Sequence, residues 1–353
     1  MNLYILEGLS GISGIVEVYE SMIWNMQFYS INDFQVILPL SSESAALLQP
    51  GKLLVREPDM VGSGEYHNVM RIENKVISFD ADKGWLLTVS GGGLKKRVGQ
   101  RVIWEQINFE EENVETAIRT VISDNIISPD DSDREISDFE LDDAVGFTDT
   151  FDAQLFGENI AEWIESTCQI YGYGWDVYIK EGKYIFTLIQ PTDRSYNSAT
   201  PVVFSPTYDN LASASYEYKG SAHYNVGLVG GEGDGSDQIV TSVGSGSGLD
   251  RYETYIDGGE VSSNGEIITM ATYLSMLQTY GLEQLADGSL YQEFTGEIVQ
   301  NEMYVYGVDY FLGDVVQVDI GYAAAALRII EMIYSEDANG SSLIPTFGDQ
   351  EVL

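Results

Sequence analysis

The sequence predicts a mainly β chain with an α/β insertion, an α+β arrangement in which two barrel-like β domains flank a small mixed one. Three observations predict it. The 23 tyrosines, with abundant Val, Ile and Thr, are strand-forming side chains. The 36 glycines break the chain into short alternating runs. A helical period of apolar residues enters only at about Phe109, and strands return after residue 200. A length of 353 residues suits two or three domains.

From Ile15 to Leu40 the chain reads as strand, turn and strand, with Asn32-Asp33 turning into Phe34–Leu38. Gln49-Pro50-Gly51-Lys52 is a second turn, before Leu53-Leu54-Val55. Strands follow at 66–72, 75–79 and 85–89, joined by hairpin-like connections at Glu73-Asn74 and Asp80–Gly84. Residues 1–108 form the first β domain in this reading.

The next domain, 109–200, opens with Val114, Ala117, Ile118, Val121 and Ile122 on one helical face. Its 109–143 stretch holds 13 acids against Arg119 and Arg134. A second helix spans about 158–171 and ends on Gly172-Tyr173-Gly174, because glycine closes helices. Residues 175–179 and 184–189 then read as a hairpin. The last domain, 201–353, returns to β. Its 230–248 stretch is rich in Gly, Ser and Asp and reads as a mobile loop. A helix is expected over 266–286 with a weak point at Gly281, and strands at 293–300, 303–306, 315–319 and 327–334.

Charge narrows the function. With 17 Lys+Arg against 56 Asp+Glu the formal charge is −39. A stable nucleic-acid binder needs cations to displace phosphate counterions, so that class is disfavoured. Docking on anionic lipid is disfavoured for the same reason. No run approaches the roughly 20 apolar residues of a membrane span, and the opening residues carry no basic leader start. The single cysteine, Cys168, allows no intrachain disulfide and no zinc–thiolate cluster.

Enzyme signatures are sparse, and no catalytic, cofactor-binding or metal-ligating residue is assigned. His67 and His223 sit in separate domains without a nucleophile elbow. Cys168 lies on the inward face of its helix, where thiols are inert. Gly91-Gly92-Gly93-Leu94-Lys95-Lys96 lacks phosphate-loop spacing. It reads as the exit from a strand ending at Val89, with Lys95, Lys96 and Arg97 opening a short helix or turn. Asp130-Asp131-Ser132-Asp133 and Asp234-Gly235-Ser236-Asp237 lack the alternating ligands of a calcium loop and read as solvated turns.

Four ordered stretches carry a family resemblance. The first joins Leu3–Leu6, Tyr19–Trp24 and Phe34–Pro39. The second runs from Leu87 through Gly91-Gly92-Gly93-Leu94 to Arg101-Val102-Ile103. The third takes in Thr192-Asp193-Arg194-Ser195, Val203-Phe204-Ser205, Asn210-Leu211 and Gly248–Glu253. The fourth is Tyr306–Val316 with Arg328–Glu331. Together they resemble the siphovirus tail-protein family of the baseplate-hub type, found in long-tailed phages and prophages. The resemblance implies a ring-shaped homotrimer at the virion tail tip, joining the tail tube to the tip. Its implied partners are the tail tube, distal tail, tip or fibre proteins and the tape measure, with DNA only in transit. Some relatives carry a C-terminal peptidoglycan-degrading domain; with the sequence ending at Leu353, none is expected here. A carboxylate-based cell-wall hydrolase and a host-binding adhesin module are the alternative readings. The acidity fits both a DNA-repelling conduit and plain solubility.

Structural roles are expected at six residues. Arg194 and Arg251, each beside an aspartate (Asp193, Asp250), have the fork that pins carboxylates and loop carbonyls. Gly313 supplies backbone freedom at a turn, and Asp314 accepts a nearby amide.

Overall fold

The computed structural model describes every residue except 63, 220–223, 264, 266, 287–290, 300–302, 322–323 and 350–353. Period-two burial builds its main sheet. Met22, Trp24 and Met26 face inward from the strand Ser21–Gln27, and Phe34, Val36 and Leu38 from its neighbour Asp33–Pro39. Eleven strands lie side by side, each antiparallel to the next: Leu211–Lys219, Tyr291–Ile298, Gly340–Asp349, Ala324–Asp337, Ser21–Gln27, Asp33–Pro39, Gly84–Gly93, Met70–Asp80, Leu53–Arg56, Leu3–Glu7 and Gly11–Val16. The chain is therefore mainly β, as expected. N-terminal and C-terminal strands meet at one seam, where Trp24 stands opposite Tyr334. A branch adds Val315–Asp319 beside Ala324–Asp337, with Asp193–Arg194 and Val203–Phe204 running parallel to it.

Three details of the first β region differ from expectation. Glu73-Asn74 is no hairpin turn: Met70–Asp80 is one strand with a register shift between Ile72 and Asn74. The facing strand does not stop at Val89 but runs through Gly93. Glycine is required there because a side chain at Gly91 would collide with the Arg71 carbonyl at the bulge. Tyr66 belongs to a different sheet, paired with Ile179.

The middle of the chain folds as an α/β unit. Asn113 caps the helix Val114–Ile122 through the Thr116 amide at 3.0 Å. Asn159 caps Ile160–Tyr171, and Gly172 closes that helix at φ +69°. Both helices bury their apolar faces in a core with Trp175, Val177 and Phe186 of the hairpin Gly174–Lys180 and Lys183–Ile189. Leu53, Val55, Leu94 and Val98 from the first β region lie in that same core.

A further lobe escaped the sequence reading. Val226–Gly230, Val240–Gly244 and Glu253–Asp257 form a three-stranded sheet packed on the helix Met270–Ala286, with a core of its own around Val229, Tyr273 and Leu277. The expected mobile loop thus contains a strand. Gly281 is no weak point either: a side chain there would collide with Val229, so glycine lets helix and sheet approach. No strand forms at 303–306: the segment is irregular and leads into a turn at 307–309, closed by a bridge between Tyr306 and Tyr310.

Candidate functional site

The N-terminal strands, the α/β unit and the C-terminal strands meet around a cleft of about 680 Å³. Each segment delivers charge to it for a local reason. The apolar run Leu53-Leu54-Val55 ends in Arg56, and a short 3₁₀ turn folds Asp59 back onto it. Arg56 donates from Nε to Asp59 Oδ2 at 2.6 Å and from Nη2 to Oδ1 at 3.1 Å, a two-pronged pair. Asn68 Nδ2 donates to the same carboxylate at 2.8 Å. Both ions are nearly fully buried, and the guanidinium lies over the rings of Trp24 and Tyr334 at 5.6 and 5.5 Å.

Lys95 is 1% exposed. Its ammonium donates to the carbonyls of Gln27, Phe28 and Ser30 at 2.7, 3.1 and 3.0 Å, which uses all three protons. Burial pulls its pKa down to about 8, with Asp176 opposing. The lysine thus fastens the chain where it leaves the Ser21–Gln27 strand. Phe28, next along, is wedged against Gly174 of the hairpin and Gly313 of the C-terminal region, under the Arg328 guanidinium at 5.5 Å. Arg328 Nη1 in turn donates to the Gly313 carbonyl at 2.8 Å.

Of the six residues singled out in the sequence, three come together here. Asp314 Oδ2 accepts Arg194 Nε at 2.6 Å and the Phe311 amide at 3.0 Å, while Oδ1 accepts the Thr192 amide at 3.0 Å. Gly313, at φ +95°, turns the chain into this contact. Asp193 is adjacent but does not pair with Arg194; it accepts the Ser195 amide at 2.8 Å. Asp250 and Arg251 lie in the separate lobe, where Arg251 pairs with Glu253 and donates to the Gly246 carbonyl at 3.3 Å. Sequence reasoning missed Arg56–Asp59, Lys95, Phe28 and Asp176. The available signal was a charged residue closing an apolar strand, at Arg56.

The geometry offers support rather than nucleophilic chemistry. His67 Nε2 sits 2.9 Å from Glu65, its ring stacked on Tyr178. Burial pushes the Cys168 thiol up to about 12. His223 lies outside the described residues. Among the described residues no three His, Cys, Asp or Glu side chains are grouped to hold a metal, and no helix is long and apolar enough to cross a membrane.

Residues 2–349 match the family model described as Siphovirus ReqiPepy6 Gp37-like protein. The chain belongs to this siphovirus tail-protein family. No curated protein sequence matches it. Solved structures share its fold. The 43 kDa tail protein of prophage MuSo2 from Shewanella oneidensis has 13% identity and a TM-score of 0.61, over 98% of each chain. The tail protein of Neisseria meningitidis MC58 has 11% identity and a TM-score of 0.61, over 99% of this chain and 97% of that one. The prophage tail protein gp18 of Listeria monocytogenes EGD-e has 9% identity and a TM-score of 0.56, over 100% and 96%.

This family member is a structural component of a phage tail, and a docking contact between its lobe and its α/β unit is expected to respond to pH. The helix Met270–Ala286 packs on Thr150–Leu155 and Ile160–Tyr171. Gln154 exchanges two hydrogen bonds with the Ser262 backbone, at 2.9 and 2.7 Å. Burial and the neighbouring Glu158 push the Glu283 carboxyl up to about 8. Burial and Glu260 likewise raise Glu158. A carboxyl raised on docking favours the docked lobe while protonated, so docking is strongest below the ordinary glutamate range and weakens as pH rises to about 8. Hydrogen exchange in 270–286, corrected for intrinsic rates, should be about tenfold faster at pH 9 than at pH 6. Glu283→Gln should remove most of that difference; an unchanged pH response in the variant would assign it elsewhere.

Proposed function

We propose that three copies of this chain form the tail-tip hub that joins the tail tube to the tip and encloses part of the DNA-ejection channel. The observation that carries this reading is the seam between Ser21–Gln27 and Ala324–Asp337, which places an N-terminal and a C-terminal set of strands in one sheet. In this reading the strands on either side of the seam count as two β units, so three copies present six, which suits a ring between a sixfold tube and a threefold tip. Closed rings are the common outcome for copies that assemble head to tail. The domains in this reading are 1–108 and 201–353 as β units and 109–200 as a peripheral insertion. Its partners are the tail tube, distal tail, tip or fibre proteins and the tape measure. The −39 charge keeps passing DNA from adhering. No catalytic step is assigned.

Light scattering at micromolar concentration, alone and with the tail-tube protein, tests the assembly. The expected mass of the hub is about three times 39.1 kDa. A stable dimer, or a monomer that persists beside the tube protein, would overturn the reading.

A further inference from the structure

Asp176 stands apart from the other charged groups of the cleft. Arg56 and Asp59 satisfy one another, with Asn68. Lys95 has spent its three protons on backbone carbonyls. Asp314 is held by Arg194. Asp176, half-buried on the strand Gly174–Lys180, forms no ion pair among the described residues; Lys95 acts on it through its charge alone, and the amide of its neighbour Val177 also favours the ionised form. An ionised carboxylate accepts hydrogen bonds and donates none, so what it lacks is a donor. Around it the cleft is walled by Phe28, Trp175, Tyr306, Phe311 and Tyr334. Lys95 on Trp175, and Arg56 on Tyr334, already show cations resting on such rings here. A volume of about 680 Å³ lies in the usual range of ligand sites, far more than one water needs.

We propose that this cleft binds an organic cation, an alkylguanidinium or alkylammonium group that donates to Asp176 and rests against the aromatic wall. The site does not depend on the hub assembly, since every residue comes from one copy. The strongly negative chain raises the local concentration of any such cation. Charged and titratable neighbours set the pH response: Lys95 and His67 favour the ionised carboxylate, while Asp59 and burial oppose it. Tyr306 also lies within electrostatic reach of Arg56, Asp59 and Asp176. Because Asp176 is raised from the ordinary aspartate value, binding the cation releases a proton, and affinity increases as pH rises through the Asp176 titration.

Calorimetry on the full chain tests this with agmatine, the N-acetylated and C-amidated tripeptide Gly-Arg-Gly and a neutral control, the same capped tripeptide with citrulline in place of arginine. Wild-type protein should bind agmatine, the arginine tripeptide or both. Agmatine binding identifies a free small-molecule cation as sufficient; binding of the arginine tripeptide alone identifies a side chain on a partner segment. Asp176→Asn should lose at least about tenfold in affinity, the loss of one charge-assisted contact. Titration of the wild type in two buffers of different ionisation enthalpy should register proton release, a readout that does not depend on the variant folding. Equal binding of the arginine and citrulline peptides, no binding of either cation, or full affinity in a folded Asp176→Asn would overturn the proposal.

Discussion

Asp314→Ala is expected to destabilise the chain by about 3–5 kcal/mol, the usual cost of leaving one member of a buried ion pair alone. Asp314 is 4% exposed and gathers three donors, two from one distant stretch, Arg194 and the Thr192 amide, and one from its own turn, the Phe311 amide. Alanine strands a guanidinium and two amides together, and cleft water that reaches Thr192 and Phe311 replaces only part of what the carboxylate supplied. Asp314→Asn keeps an acceptor oxygen but not the charge, and should cost about half as much. Adding Arg194→Met to Asp314→Ala should recover part of the loss, because the orphaned cation goes with it. Urea denaturation of the four proteins measures each step. A loss below about 1 kcal/mol for Asp314→Ala would show that the contact is solvated and carries little stability.

What was legible in the sequence was local. The two helices of the α/β unit declare themselves by period, and the second also by Gly172 as a stop; the caps Asn113 and Asn159 emerge only from the structure. The hairpin 174–189 likewise needs only its neighbours. What stayed hidden was set by long-range contact. Arg194 reads naturally as the partner of Asp193, yet it pairs with Asp314, 120 residues away. The seam that joins the two halves of the chain links residues about 300 positions apart, and no local pattern encodes that choice. Glycine misled most. In 230–248 it looks like flexibility, but a side chain at Gly230 would collide with Tyr255 and one at Gly244 with Leu285. Those glycines mark close packing in a sheet, a property of the facing residue rather than of the glycine's neighbours. Phe28 was invisible for the same reason: its importance lies in Gly174 and Gly313, which leave it room.

That arrangement gives the second large effect. Gly313→Ala should destabilise by roughly 3–4 kcal/mol, and Gly174→Ala by roughly 1–3, through the cost of an extra methyl in a filled core. At both positions a new Cβ would stand well inside contact distance of the Phe28 ring, which is 1% exposed. The additional cost at Gly313 comes from its φ of +95°, where an L side chain is strained whatever space is made for it. The two causes separate with a second substitution. Phe28→Leu opens volume beside both glycines, so it should rescue most of the Gly174→Ala defect. It should leave about 1 kcal/mol of the Gly313→Ala defect in place, because a smaller neighbour does not change the backbone angle. Denaturation midpoints of the two double-mutant cycles decide it. If Phe28→Leu failed to relieve Gly174→Ala, the ring would not be the obstacle. The three segments would then be locked chiefly by Lys95 and its carbonyls.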